Sequence, residues 1–180
     1  DTTSLAEELE RLELYLVLEH MRFKDKFEYR ITVEPGVDIG QARLPAMMLQ
    51  PYVENSIWHG ILPMEGTGTV HIEVKQAPRE RIEVRITDDG IGMERSMEAK
   101  QGASGDHISR GIEITKGRAD VLRRLDINDI RITGPEDRLD PTTGKSIGTQ
   151  VTVLLPLTDS WKRPGGDLHS ADEPLTFGAS

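Results

Sequence analysis

The chain has 180 residues, of which 36% are hydrophobic and 29% are charged, which is enough for one ordinary globular core. Its 31 acidic residues outnumber 22 basic ones, and the resulting net charge of −9 repels polyanions, so we expect no nucleic acid among its partners. Cysteine is absent, which excludes disulfides and thiolate metal sites, and no apolar run reaches the roughly 20 residues of a bilayer span. We therefore expect a cytoplasmic chain that makes no membrane contact itself. Because the sequence begins at Asp1 rather than Met, we also expect it to be a piece of a longer protein.

The first predicted element is an amphipathic helix between Ser4 and Arg22. Its leucines recur at three- and four-residue steps on one face, at Leu5, Leu9, Leu12 and Leu16. Ser4 and Glu7 have the spacing of a capping box, in which each side chain accepts a hydrogen bond from the other residue's backbone N–H. The leucine stripe predicts either self-association or packing onto the rest of the domain.

Alternating apolar and polar residues predict a strand from Phe27 to Val33, which Pro35-Gly36 ends. A second helix is predicted at roughly Pro45 to Gly60, and its apolar residues are Met47, Met48, Leu49, Tyr52, Val53 and Ile57. Two further alternating runs, Val70 to Lys75 and Arg81 to Thr87, predict an antiparallel hairpin.

The segment from Met93 to Ser109 is polar and has no clear period, so we predict a mobile loop of functional size. Helical spacing returns from Gly111 to Leu125, and two strands are predicted near Asp129 to Thr133 and Thr149 to Leu155. Helices that alternate with mostly antiparallel strands favour an α/β (α+β) two-layer sandwich. After Pro156 the composition becomes too polar to bury a core, which predicts a disordered tail.

Three separated segments carry the functional signal. They are Leu49 to Gly60 with Asn55, Asp88-Asp89-Gly90-Ile91-Gly92, and Gly148-Thr149-Gln150-Val151. Each is weak alone, because an Asp-Gly pair after a strand is usually a turn and a mid-helix Asn is usually polar surface. Their order, the strand before Asp88 and the helix under Asn55 agree with one family at once. Together they resemble the N box, the first Gly box and the last Gly box of the GHKL ATPase superfamily.

This resemblance covers about residues 5–157 and implies a Bergerat-type ATP-binding fold with a mixed, mostly antiparallel sheet and a mobile ATP lid. The N box and the residues from Tyr15 to Phe23 look most like LytS-type bacterial sensor histidine kinases. That likeness divides the chain into three regions. Residues 1–26 would be the C-terminal helix of the dimerisation and phosphotransfer region, 27–157 the ATP-binding catalytic domain and 158–180 the tail.

The resemblance also implies a role for each matching residue. Asp88 would accept a hydrogen bond from the adenine amino group, with Thr149 supporting that contact. Gly90 and Gly92 would let the backbone approach the base, because a Cβ would obstruct it. The side-chain carbonyl of Asn55 would bind Mg²⁺, whose octahedral shell ATP phosphates and water would complete.

The phosphates are expected to lie near Gly111, where the family's second Gly box opens a helix whose free N–H groups favour anions. Arg110 and Lys116 could assist there, and Gly148 belongs to the last Gly box. His59 follows Asn55 by four residues, so both would lie on one helix face and His59 could approach the phosphates. The second Gly box departs from the family pattern, since Glu113 replaces a common Gly and Lys116 a common Asn.

Kinase chemistry is favoured over hydrolysis because Pro51 stands where GHKL hydrolases carry the glutamate that activates water. None of the five histidines has the flanking residues of the LytS-type phosphoacceptor motif, so the acceptor is expected on a segment outside this chain. The resemblance implies a homodimer, a response regulator receiver domain as partner, and a cytoplasmic part of a membrane-bound sensor. The alternatives are a GHKL ATPase, an anti-sigma-type serine kinase, or a degenerate nucleotide-binding docking module.

Overall fold

The computed structural model of the protein describes residues 2–93, 95–96 and 129–157. The helical elements are α1 (Leu5–Arg22) and α2 (Gln50–Asn55), and α2 continues into a π-helical segment (Ser56–Ile61). The strands are β1 (Thr2–Ser4), β2 (Phe27–Val33), β3 (Arg43–Pro45), β4 (Gly68–Ala77), β5 (Arg81–Asp88), β6 (Arg131–Leu139) and β7 (Ser146–Pro156). None of these helices has the length and apolar character that a bilayer span requires.

The main sheet has five strands in the order β2-β4-β5-β7-β6. β2 and β4 pair in parallel, and the other three pairs are antiparallel. β1 and β3 form a separate antiparallel pair. One face of the main sheet shares a hydrophobic core with α1, α2 and the π-helical segment, which confirms the predicted sandwich with a mixed, mostly antiparallel sheet.

The predicted β4–β5 hairpin is confirmed and is longer than the alternating runs suggested. Its inward positions are aliphatic, and the register pairs Val74 with Val84 and Ile72 with Ile86. The next inward pair is Val70 with Asp88, so a buried carboxylate occupies the last core-facing position of β5. The sequence alternation of this strand therefore carries an aspartate into the interior, where it needs hydrogen-bond donors.

The leucine stripe of α1 packs onto the domain, one of the two outcomes that its exposure in isolation predicted. Its four members are buried in the common core: Leu5, Leu9, Leu12 and Leu16. The capping box is also confirmed. The Ser4 hydroxyl accepts from Glu7 N at 3.2 Å, and Glu7 Oε2 accepts from Ser4 N at 2.9 Å.

The predicted helix start at Pro45 is wrong. Pro45 ends β3, and the following turn includes Met47, whose φ of 60° is incompatible with a right-handed helix. Helical geometry begins at Gln50, with Pro51 in the first turn, where its missing N–H has no intrahelical acceptor to lose.

Only the beginning of the predicted lid is described. Ser96 N donates to the carbonyl oxygen of Gly92 at 3.1 Å, which is a helical hydrogen bond. The rest of that segment, the helix predicted from Gly111 to Leu125 and the tail 158–180 lie outside the described residues.

We expect the contribution of the capping box to the stability of the domain to decrease at acidic pH. Hydrogen bonds from the Thr3 side chain, the Ser4 backbone and the Ser4 hydroxyl lower the pKa of Glu7 from 4.5 to about 2. Because the folded pKa lies below the unfolded one, this contribution is complete above pH 4.5 and is lost as the pH falls towards 2. Urea unfolding at pH 7 and pH 3 should therefore show a smaller acid-induced loss of stability in Glu7→Gln than in the wild type.

Glu10→Gln is the matched control, because Glu10 is an exposed glutamate on the same helix. It should show the full acid-induced loss of the wild type. An equal loss in all three proteins would contradict the role assigned to Glu7.

Candidate nucleotide site

The most deeply buried polar group at the end of the sheet is the carboxylate of Asp88, the last residue of β5, which is 1% exposed. Its Oδ1 accepts from Gly90 N at 2.9 Å and from Thr149 N at 3.1 Å. Its Oδ2 accepts from the Thr149 hydroxyl at 2.6 Å. Donors from the following turn and from the neighbouring strand β7 thus fix both carboxylate oxygens, so the aspartate does more than terminate a strand.

The turn after Asp88 lies directly against the π-helical segment. A Cβ on Gly90 would overlap the backbone of Gly60, and Ile91 N donates to the Gly60 carbonyl oxygen at 2.9 Å. A Cβ on Gly60 would in turn lie 3.0 Å from Asp88 Oδ1. Two glycines therefore allow the N-box helix and the aspartate loop to meet backbone to backbone, which larger residues would prevent.

Two further glycines adopt conformations that L-residues rarely take. Gly148 has φ 121°, and a Cβ there would overlap the backbone carbonyl of Asp88. Gly92 has φ 82°, and a Cβ there would overlap the Ser146 side chain. The first and last Gly boxes consequently pack against one another around the carboxylate.

Sequence reasoning missed the polar residues that fix the exit from this loop. Asp137 Oδ1 on β6 accepts from Met93 N and from the Ser146 hydroxyl, each at 2.8 Å. Arg138 donates to the backbone oxygen of Asp88 at 3.1 Å. These partners lie 44 to 50 residues away in sequence from the groups they bind, apart from the nearby Ser146, so no local motif could have revealed them.

Asn55 and His59 lie on one continuous helical stretch, Asn55 at the end of α2 and His59 in the π-helical segment; both are partly buried. The Asn55 side chain makes no capping hydrogen bond to the segment that follows it. Hydrogen bonds in a π-helix span five residues, so a four-residue step falls just short of one turn and keeps His59 near the face of Asn55. Such π-helical turns occur frequently at functional sites.

The structure brings five of the predicted site residues together at one end of the sheet: Asp88, Gly90, Gly92, Gly148 and Thr149. Asn55 and His59 lie on the helical stretch that contacts this cluster through Gly60. Arg110, Gly111 and Lys116 lie outside the described residues, so the phosphate loop remains a prediction.

Comparison with solved structures gives the fold. The blue-light activated histidine kinase of Erythrobacter litoralis EL346 matches 89% of this chain and 44% of that chain, with a TM-score of 0.53 and 15% identity. The mycobacterial sensor histidine kinase MprB matches 87% of this chain and 96% of that chain, with a TM-score of 0.50 and 20% identity. The described sheet and helices thus have the architecture of histidine kinase domains.

Sequence comparison adds homology. Sensor histidine kinase YpdA of Escherichia coli is 38% identical over 88 residues, which are 48% of this chain and 15% of YpdA. Sensor histidine kinase BtsS of E. coli is 37% identical over 73 residues, which are 41% of this chain and 13% of BtsS. The chain is a homologue of sensor histidine kinases. It spans only a minor part of these kinases, and no family model matches it.

A longer match, at lower identity, is to the protein YwpD of Bacillus subtilis. The identity is 25% over 162 residues, which are 90% of this chain and 53% of YwpD. The similarity to YwpD therefore includes most of the chain, while the chain spans about half the length of YwpD.

In this kinase homologue the Asp88 carboxylate retains capacity for one more donor. A carboxylate offers about four acceptor positions, and three hydrogen bonds from Gly90 and Thr149 use three of them. The remaining position is on Oδ2, which carries a single hydrogen bond from the described residues. An ionised carboxylate can accept a further hydrogen bond only from a donor, such as an amino group.

Proposed function

We propose that this chain is the ATP-binding catalytic domain of a LytS-type sensor histidine kinase. It binds Mg-ATP and donates the γ-phosphoryl group to a histidine on a segment outside this chain. The observation that carries the proposal is the buried Asp88 carboxylate, which Thr149 and Gly90 hold at the junction of the two Gly boxes and the N-box helix. A homodimer and a response regulator receiver domain are the partners that the proposal includes.

Adenine recognition would rest on Asp88 and Thr149. The ionised carboxylate is only an acceptor, so it favours a base that presents an amino group at this position. Burial strengthens the preference, because a base without that donor would leave the remaining lone pair of Oδ2 without a partner. Glycines at 90, 92 and 148 would contribute indirectly, because they let the surrounding segments pack closely around the carboxylate.

The phosphate half of the site would be formed by the N-box helix and the second Gly box. Asn55 would hold Mg²⁺ through its side-chain carbonyl, and His59 would approach the phosphates from the following turn. Arg110, Gly111 and Lys116 would contribute backbone N–H groups and positive charge from the other side. Bound Mg²⁺ supplies charge neutralisation at the β- and γ-phosphates.

In the proposed reaction a histidine nitrogen forms a bond to the γ-phosphorus while the bond from that phosphorus to the β-bridging oxygen breaks. ADP leaves with the electron pair, and the imidazole gives up its N–H proton. An aspartate of a receiver domain then takes the phosphoryl group from the histidine. The domain contributes position and charge stabilisation, and Pro51 in the first turn of α2 offers no carboxylate to activate water in place of histidine.

Calorimetric titration of the wild type and Asn55→Ala with ATP, with and without Mg²⁺, tests this proposal. Wild-type affinity for ATP should rise when Mg²⁺ is present, and Asn55→Ala should lose that gain. A loss of at least about tenfold in Mg-ATP affinity is expected, in line with removal of a group that sets metal geometry. Without Mg²⁺ the two proteins should bind ATP alike.

Glu54→Gln is the matched control, because Glu54 precedes Asn55 and its carboxylate accepts from the Gln50 side chain at 2.7 Å. It should bind Mg-ATP as the wild type does. If folded wild type binds no nucleotide, the proposal fails and the docking-module alternative replaces it. Phosphotransfer is then measured with labelled ATP in a chain that includes the upstream histidine segment.

A further inference from the structure

A buried carboxylate on α1 contacts the loop that leads into the N-box helix. Glu8 is 1% exposed, and its two oxygens accept hydrogen bonds from two backbone N–H groups of that loop. Oε2 accepts from Met47 N at 3.0 Å, and Oε1 accepts from Leu49 N at 3.1 Å. Arg11 Nη2 also approaches Oε2, at 3.2 Å from a half-exposed side chain. A residue of α1 thus binds backbone N–H groups that lie 39 to 41 residues further along the sequence.

The two residues that donate to Glu8 gain little support from their own neighbours in the sequence. Met47 has φ 60°, a left-handed conformation that is unfavourable for a non-glycine residue. Leu49 is the N-cap of α2 and makes no side-chain capping hydrogen bond. Glu8 therefore supplies from a distance the acceptor for the N-cap N–H that a Glu or Gln at N3 supplies in a capping box.

α1 also contacts the far end of the same helical stretch. The Trp58 ring of the π-helical segment packs edge-on against Phe23, with ring centroids 5.4 Å apart. The Arg22 guanidinium lies 4.8 Å from the Phe23 centroid and 5.2 Å from the Trp58 centroid. α1 thus contacts the helical stretch at two places, one just before α2 and one within the π-helical segment.

Asn55 lies between these two attachment points. We infer that Glu8 is a positioning residue for the phosphate half of the nucleotide site: it fixes the start of α2, and thereby the placement of Asn55, without touching nucleotide. This inference rests on the proposed function. The residues proposed to bind adenine lie on β5 and β7 instead, so substitution of Glu8 should change affinity for the base less. A displacement of α1 would consequently change Mg-ATP affinity more than affinity for the base.

The test compares Glu8→Gln and Glu8→Ala with the wild type in calorimetric titrations with Mg-ATP and with adenosine. Gln retains one acceptor oxygen for two N–H groups, and Ala retains none, so Mg-ATP affinity should fall in that order. The expected loss for Ala is about tenfold, the lower end of the range for residues that orient metal ligands. Adenosine affinity should change by less than about twofold, within the scatter expected for a distant site.

Arg11→Gln is the matched control, since it removes the ion pair to Glu8 and leaves both backbone hydrogen bonds in place. It should bind both ligands as the wild type does. Amide exchange should be faster at Met47 and Leu49 in the Glu8 variants, with the amides of β4 and β5 unchanged. If Glu8→Ala does not fold, Glu8→Gln carries the comparison.

A folded Glu8 variant with unchanged Mg-ATP affinity would overturn the inference, and so would equal losses for Mg-ATP and adenosine. A wild type that binds neither ligand would instead mean that the proposed function has failed. The two failures are therefore distinguishable in one series of titrations.

Discussion

Asp88→Asn is expected to weaken ATP binding by about 10- to 100-fold, the loss that corresponds to one hydrogen bond to a charged group. An asparagine can keep its oxygen at the Oδ1 position, where Gly90 N and Thr149 N donate. Its NH₂ group then occupies the Oδ2 position and meets the adenine amino group donor to donor. The Thr149 hydroxyl can turn to accept, so the protein itself should tolerate the change.

Titration with ITP tests the same contact with a second nucleotide, because its base carries a keto oxygen where adenine carries the amino group. Wild type should discriminate against ITP, whereas Asp88→Asn should bind ITP at least as well as ATP, since its NH₂ can donate to that oxygen. Asp89→Asn is the control: Asp89 is exposed, and its Oδ1 accepts from Thr69 N at 2.5 Å. Equal losses of ATP and ITP affinity in Asp88→Asn would exclude the carboxylate as the acceptor of the amino group.

Leu16→Ala is expected to lower the free energy of unfolding by about 2–5 kcal/mol, the cost of emptying a closed core site. Leu16 is fully buried, and the core that contains it includes residues of the main sheet. Urea unfolding at neutral pH measures the change. A loss near the upper end would indicate that the surroundings of α1 do not relax into the cavity.

Leu18→Ala is the matched control on the same helix, because Leu18 is 64% exposed. Its effect should stay within about 0.5 kcal/mol, as for other surface positions. If Leu16→Ala were as mild as Leu18→Ala, α1 would be only loosely docked. The coupling inferred for Glu8 would then lose its structural basis.

The part of the fold that sequence could predict is the part that local periodicity encodes. Alternation predicted β2 and the β4–β5 hairpin, and three-to-four-residue spacing predicted α1 with its Ser4–Glu7 cap. The start of α2 was mispredicted because the apolar residues continue backwards through Met47, whose backbone is left-handed and whose N–H donates to the distant Glu8 carboxylate. Periodicity records which residues are apolar, and it carries no information on such long-range constraints.

The candidate site divides in the same way. Asp88, Asn55 and the glycines stand in short contiguous motifs, so a resemblance could propose roles for them. Asp137 and Glu8 stand in no motif, and each acts through backbone N–H groups about forty residues away. A single sequence shows no trace of such pairs, because the donor is a backbone group that every residue except proline possesses.

The π-helical turn after Asn55 gives this region an unusual dependence on chain length. Hydrogen bonds in a π-helix span five residues instead of four, so the turn holds about one residue more than an α-helical turn of similar rotation. Gly60 is fixed against Gly90 by backbone contact, and the start of α2 is fixed by Glu8. Deleting one residue between Asn55 and Gly60 can therefore restore α-helical winding with both ends in place, whereas inserting one would widen the turn further and should be tolerated far less.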